Sequence, residues 1–452
     1  MRNKGKQREK LYRQRRAVKK GELRQKTNHR ASHFYLQAEM DEDEIITAGY
    51  AHKVLKHLKQ NRFETNDVLN FWAKKTVIRL PKVFSFFENP EETIKILRRL
   101  YTLGKNPAVR KIRFEYEDCE KMGLSASSIL DIIVLAIEWW RKARNWDLEL
   151  EGTFPKDEDV RTILCASGLP YHLKIRPSWL VNEEKIRRFQ MVSGEGQGHS
   201  CKAAVTATEL TSYFDECLGT QGLELNNDGK RLLSGIVGEV LDNCESHGGL
   251  DATWYTQGHY QVSKDNEYGE MQLMFLSMGC SIYEGLKEES SRETQKRLEY
   301  IKSRLQYRLD DNVNEEMLYT VLSLQEGISR LRDGNIEGYG GRGCGTVRMI
   351  QFFEDIGETE ATDMKQQMSV LSGNTFISFG KEYKMRSVCF EHDKAFGTGE
   401  RQIIAFNKEN DIYQKPDRTY VRRIKERFPG TIISLRFYLD GRYIRKQSGL
   451  GE

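Results

Sequence analysis

Glu239, Asn243 and His247 recur at four-residue intervals within the stretch from Asp228 to His247. On a helix, that interval sets a carboxylate, an amide and an imidazole along one stripe. Leu232, Leu233, Ile236, Val237, Val240 and Leu241 supply the apolar side of the same helix, and Asp242 adds a second acid beside the stripe. Downstream, the run from Gly338 to Gly345 (GYGGRGCG) opens a predicted helix over Thr346–Phe353. A glycine-rich turn at a helix start points backbone N–H groups outward, where they can hold a phosphate. Later, Phe428-Pro429-Gly430-Thr431 leads into the alternating strand Ile432–Tyr438. Singly, a polar stripe is a solvated helix face and a glycine turn is a close helix–sheet contact. The order of the pieces is what points to chemistry.

These residues need a scaffold, and the patterning predicts one of mixed α/β (α+β) class. In the second half a strand runs over Met271–Gly279, and charge-rich helical segments at Glu284–Tyr307 and Asn314–Leu331 separate it from the glycine run. Ser193–Ser200 (SGEGQGHS) has no apolar period and reads as the linker or entry loop of a second domain. This sets a second domain at about 200–443, with a helical insertion at about 283–335. In the first half, strands at Val77–Leu80, Val109–Glu117 and Asp147–Gly152 alternate with helices at about 90–101, 125–144 and 157–167. That is the pattern of a small α/β domain, at about 76–185. Ala51, Val54, Leu55 and Leu58 mark helix within a segment at 31–75, and residues 1–30 have almost nothing to bury and read as a disordered arm.

Composition narrows the function classes. The 452 residues carry 71 Lys/Arg and 66 Asp/Glu, a net charge of +5. Residues 1–30 hold 13 of those cations and only Glu9 and Glu22 as acids, a local charge of +11, so the remaining body sums to −6. Only the arm therefore offers an obvious surface to a polyanion. The most apolar run, Ile129 to Trp140, is short and broken by Asp131 and Glu138, so no membrane span is predicted. The start lacks an apolar segment, which argues against a secretory signal. Eight cysteines are scattered without a CxxC, as expected for reduced thiols in a cytoplasm and not for a zinc ribbon or disulfide scaffold. No GxxxxGK[ST] occurs, which removes a P-loop ATPase.

The order of the pieces over about 205–440 resembles the GHKL (Bergerat, histidine kinase-like) ATP-binding fold. It comprises an acid-to-amide helix, a strand ending in a glycine turn, an intervening segment, a glycine-rich lid (Gly341, Gly343, Gly345) and a Gly-Thr in a closing strand. The resemblance implies ATP and Mg2+ as cofactors. Asn243 would be the metal ligand and part of the nucleotide site, its amide oxygen being a hard, uncharged donor. Glu239 would be the catalytic residue, orienting or deprotonating the attacking water or hydroxyl. Gly341, Gly343 and Gly345 would form the phosphate-side lid, and Thr431 would help fix adenine. The family's first glycine box reads Asp-x-Gly-x-Gly. Here Ser277-Met278-Gly279-Cys280-Ser281 stands in its place, so Ser277 and Gly279 take those positions without the acid.

The region at 76–185 resembles bacterial STAS domains, with Leu124-Ser125-Ala126-Ser127 where phosphorylatable members carry Asp-Ser-Ser-Gly. No His-Glu-x-x-x-Pro segment marks a sensor kinase, and too little chain follows Thr431 for a topoisomerase or chaperone relative. The expectation is a cytoplasmic Mg-ATP-binding ATPase or kinase-like switch in a bacterial stress or defence pathway. Its insertion or STAS-like region would meet a homodimer mate or protein partner. The alternative is a nucleic-acid-associated regulatory protein, holding nucleic acid through residues 1–30, with a degenerate, non-hydrolysing Bergerat domain.

Overall fold

The computed structural model describes residues 50–65, 74–172, 181–196, 201–247, 252–263, 265, 268–328, 345–356 and 366–441. The arm at 1–30, Gly341 and Gly343 lie outside these. Helix α1 (Ala51–Gln60) buries Ala51, Val54, Leu55 and Leu58 on one side. Strand β1 (Lys75–Arg79) and the short β2 (Val83–Phe84) precede α2 (Pro90–Lys105), which has Pro90 at its first turn, where the missing N–H costs nothing. Then come β3 (Lys111–Glu115), β4 (Lys121–Met122), α3 (Leu124–Lys142) and β5 (Glu149–Gly152). Helix α4 (Glu158–Ser167) is capped by Asp157, which accepts from the Val160 N–H at 3.0 Å, and a short α5 (Leu169–His172) follows. Strands β1, β3 and β5 pair in parallel, with α2 crossing from β1 to β3 and α3 from β3 to β5.

The second half begins with β6 (Ile186–Glu195), α6 (Lys202–Gly219) and α7 (Asn227–His247). Strands β7 (Thr253–Val262) and β8 (Gly269–Met278) lead into α8 (Ile282–Glu289), α9 (Arg292–Arg304) and α10 (Glu315–Leu322). Helix α11 (Gly345–Ile356) and β9 (Gln367–Phe379) follow. A hairpin of β10 (Arg386–Asp393) and β11 (Gly397–Ile403) then precedes the long β12 (Val421–Leu439). Strands β6, β7, β8, β12 and β9, in that spatial order, form one antiparallel five-stranded sheet. With a parallel sheet in one half and an antiparallel sheet in the other, the chain is of mixed α+β class, as expected.

The five-stranded sheet is covered on both faces, and alternation along its strands decides what each face meets. Trp254, Phe275, Leu435 and Val370 face α6, α7 and α11 in one core. Tyr255, Met274, Leu276 and Ile432 face the other way and join α1, α2 and α3 in a second core. Helix α3 is buried over most of its surface because it lies between this sheet and the small parallel one. The seam there is partly polar. Ser125 and Ser434 hydroxyls meet at 2.6 Å, the Leu124 N–H donates to Gln272 Oε1 at 2.9 Å, and Ser128 donates to Gln257.

Several expectations need correction. Ser193, Gly194 and Glu195 are not linker but the end of β6, paired with Tyr255, Trp254 and Thr253. Gly194 has a structural reason, since any side chain there would collide with the Trp254 ring. The predicted helix Glu284–Tyr307 is two helices, restarted by Ser291, whose side chain accepts from the Thr294 N–H at 3.1 Å. The segment Asn314–Leu331 is helical only over Glu315–Leu322 among its described residues. Ser125 is 4% exposed and faces the sheet, so as folded it offers no hydroxyl to a kinase. Among the described residues no helix is long and apolar enough to cross a membrane.

Candidate functional site

The sheet edge of the site is a row of hydroxyls. In the β8–β12–β9 register, Thr431 stands opposite Ser277 on one side and Ser372 on the other. The Ser372 and Thr431 hydroxyls meet at 2.8 Å, and Ser372 also accepts from the Ile282 N–H at 2.9 Å, tying the start of α8 to the row. Ser277 donates to the Cys244 carbonyl at 3.5 Å, a long bond that leaves its lone pairs facing the site. Gly430 makes the row possible. It sits at φ +130°, and a Cβ there would collide with the Ser277 carbonyl oxygen.

Helix α7 lies over this row and turns Val240, Asn243 and Cys244 toward it. Helix α8 closes a second side with Ile282, Gly285 and Leu286. Its start is fixed by a capping box in which Ser281 and Glu284 exchange side-chain and backbone bonds. Leu324 and Ile328, past α10, and Gly345 and Thr346, at the start of α11, complete the wall. The partly enclosed cavity measures about 150 Å3. That is room for one planar ring and below the volume of pockets that swallow whole ligands. Among the described residues that line it, none carries a charge. The Cys244 thiol, which burial pushes up to about 12, stays protonated and acts as apolar wall.

At the mouth, Gly345 rests against Glu239. A Cβ at Gly345 would stand 2.8 Å from Glu239 Oε2, so only glycine lets α11 begin there. Glu239 Oε2 is buried and has no hydrogen-bond partner among the described residues. Among the described residues, its ion pair is with Arg348 on α11, at 3.9 Å. A buried carboxylate oxygen left open in this way costs free energy on the order of 1–3 kcal/mol, which marks it as a functional candidate.

The structure therefore gathers Asn243, Ser277, Gly345 and Thr431 around one cavity, with Glu239 at its edge. Gly279 is the buried bend between β8 and the lining residues Cys280 and Ser281. Asp242 points to solvent, and His247 is the last residue of α7. Cys244, Ile282, Leu286, Ser372 and Val370 belong to the site without having been singled out in sequence. The capping box at Ser281–Glu284 was the one local signal that the chain re-enters a helix beside Ser277. Among the described residues no three His, Cys, Asp or Glu side chains gather as a metal cluster. Any divalent ion here would rely on Asn243 and on oxygens of a bound ligand. Comparisons with protein-family models, curated proteins and solved structures returned no match.

Proposed function

We propose that the chain binds Mg-ATP in this cavity as a GHKL-type (Bergerat) domain and works as an ATPase or kinase-like switch in a bacterial stress or defence pathway, in the cytoplasm. One observation carries the reading: residues 243, 277, 345 and 431, picked out by their order in the sequence, line one ring-sized cavity. In this reading the five-stranded sheet with α6, α7 and α11 is the Bergerat layer, and the region of β1, β3 and β5 is its STAS-like companion.

The residues divide the work by chemistry. An adenine ring would lie between Val240, Leu286 and Ile433, with Ser277 and Thr431 at its polar edge, where hydroxyls can both donate and accept. The phosphates would lie outside, since a neutral, enclosed wall cannot take their charge. There the N-terminal end of α11 offers backbone N–H groups and the positive end of its dipole. Asn243 and Glu239 fit a magnesium–nucleotide complex, one as a neutral amide ligand and the other as a carboxylate oxygen with no hydrogen-bond partner among the described residues and only a long ion pair to Arg348. When bound, the ion would offset phosphate charge. Glu239 would accept the proton of the attacking water or hydroxyl.

Calorimetric titration of Mg-ATP into wild type and Asn243→Ala tests this. The variant is expected to lose about tenfold or more in affinity, and equal affinities would reject the reading. A second reading, a binding domain without turnover, is favoured by one feature, Ser277 where the family carries Asp. Tight adenine-nucleotide binding by the wild type with no phosphate release would select it.

A further inference from the structure

Where β12 begins, a second recess opens between the strand and the loop ahead of α10. Arg418, Arg422, Arg423 and Lys425 line it, with Asn312 and Thr419 as neutral polar groups and Asp311 as its single acid. It is an open cleft of about 750 Å3. Four cations against one carboxylate stand out on a body whose net charge outside residues 1–30 is −6.

The platform under these cations is anchored. The Lys425 N–H donates to Glu91 at 3.1 Å, and Asn374 Nδ2 donates to the Ile424 carbonyl at 3.0 Å, so the strand is held from both sides. The Arg422 guanidinium lies over the Phe376 ring at 4.8 Å, which fixes its plane. Arg423 makes a loose ion pair, 3.7 Å from a fully exposed Asp311, and also feels the charge of Glu316; the exposed pair in water is worth little. Arg418 and Lys425 are exposed. Preorganised guanidinium groups on a rigid strand suit phosphate oxygens, which they can grip two at a time.

A protein partner would need an apolar anchor, and the cleft has none. Ile424 is 1% exposed, and Phe376 is equally buried beneath Arg422. The buried ring also leaves no platform for base stacking. We propose that this cleft binds the sugar–phosphate backbone of nucleic acid, without reading sequence. The proposal is independent of the nucleotide cavity, which shares no lining residue with the cleft.

The test uses the full-length protein, so that residues 1–30 contribute equally to every comparison. Fluorescence anisotropy with a labelled DNA duplex of about twenty base pairs is recorded from about 50 to 200 mM salt. The variant combines Arg418→Ala, Arg423→Ala and Lys425→Ala, and it spares Arg422 because its guanidinium covers a buried ring. Binding should weaken by about tenfold or more, and the log–log salt slope should flatten by about 0.9 per lost contact, near 3 in all. Asp311→Asn should do the opposite and tighten binding about twofold at low salt. That gain cannot come from a misfolded protein. Wild-type affinity and slope in the triple variant would overturn the proposal. So would polyglutamate binding as tightly as the duplex and being lost in the same variant, since the cleft would then hold acidic peptide.

Discussion

The cavity at Thr431 and the cleft at Arg423 are built on the same strand, β12, yet they follow opposite electrostatic rules. The cavity is the more enclosed of the two, and none of the described residues that line it is charged. The cleft is open and lined by four cations. Partial enclosure accounts for the first, because an ion shut away from water without a partner is expensive; in the proposed reading, contacts to charge would fall at the mouth, at Glu239 and α11. Openness explains the second. Exposed cations keep their hydration, cost little to maintain, and act over distances that salt sets. If the two proposals hold, one strand carries a site whose affinity rests on fit and another whose affinity rests on ionic strength.

Three experiments sharpen that contrast. The largest effect is expected from Glu239→Gln, which should cut phosphate release by about a hundredfold or more while nucleotide affinity and duplex binding stay near wild type. Undiminished turnover would remove Glu239 as the base and assign the proton transfer to another group. Next is Gly430→Ala. Its φ of +130° and the Ser277 carbonyl beside it predict a loss of about 2–3 kcal/mol in denaturant unfolding. Nucleotide binding should weaken as the Ser277–Thr431 pairing is displaced, and the cleft should bind its duplex as before.

The smallest concerns Glu315, which stands between the two recesses. It accepts from Lys302 at 2.6 Å, Tyr283 at 2.7 Å and Lys287 at 3.1 Å, so it joins α8, at the cavity, to α10, behind the cleft loop. Chiefly the Lys302 bond, opposed by partial burial and helped by Tyr283 and Lys287, holds its carboxyl down at about 2. A depressed acid stabilises the fold fully above its ordinary value near 4.5 and loses that contribution as pH falls toward 2. Acid unfolding of Glu315→Gln should lack that portion of the pH dependence, about 1 kcal/mol after screening by water. Identical acid profiles for the variant and wild type would show the cluster to be energetically idle.

Much of the scaffold could be read in the linear chain. Helices α3, α4 and α7 and strand β12 announce themselves by apolar period, and the cavity residues by their order. Ser372 could not be found that way, because only the β9–β12 register brings it to Thr431. The end of β6 was hidden by composition: its Ser-Gly-Glu reads as loop until the Trp254 ring is seen filling the space over Gly194. Ser290-Ser291 broke a helix that charge periodicity joined, since serine at an N-cap competes with continuation. The cleft left no trace in the charge count because acids elsewhere in the body outnumber its four cations.

The polar seam between α3 and the five-stranded sheet limits how the two halves can move. Ser125 on Ser434, the Leu124 N–H on Gln272, and Ser128 on Gln257 work like the wards of a lock. Sliding α3 along the sheet by one residue would break the Leu124–Gln272 and Ser125–Ser434 bonds in a dry interface, at about 1–3 kcal/mol each, while Ser128 would keep the Leu124 carbonyl of its own helix. An oily interface would permit such creep in small steps. This one admits two positions, seated or lifted away, so any signal crossing from the cavity face to the first half must travel as a separation of layers and not as a shear.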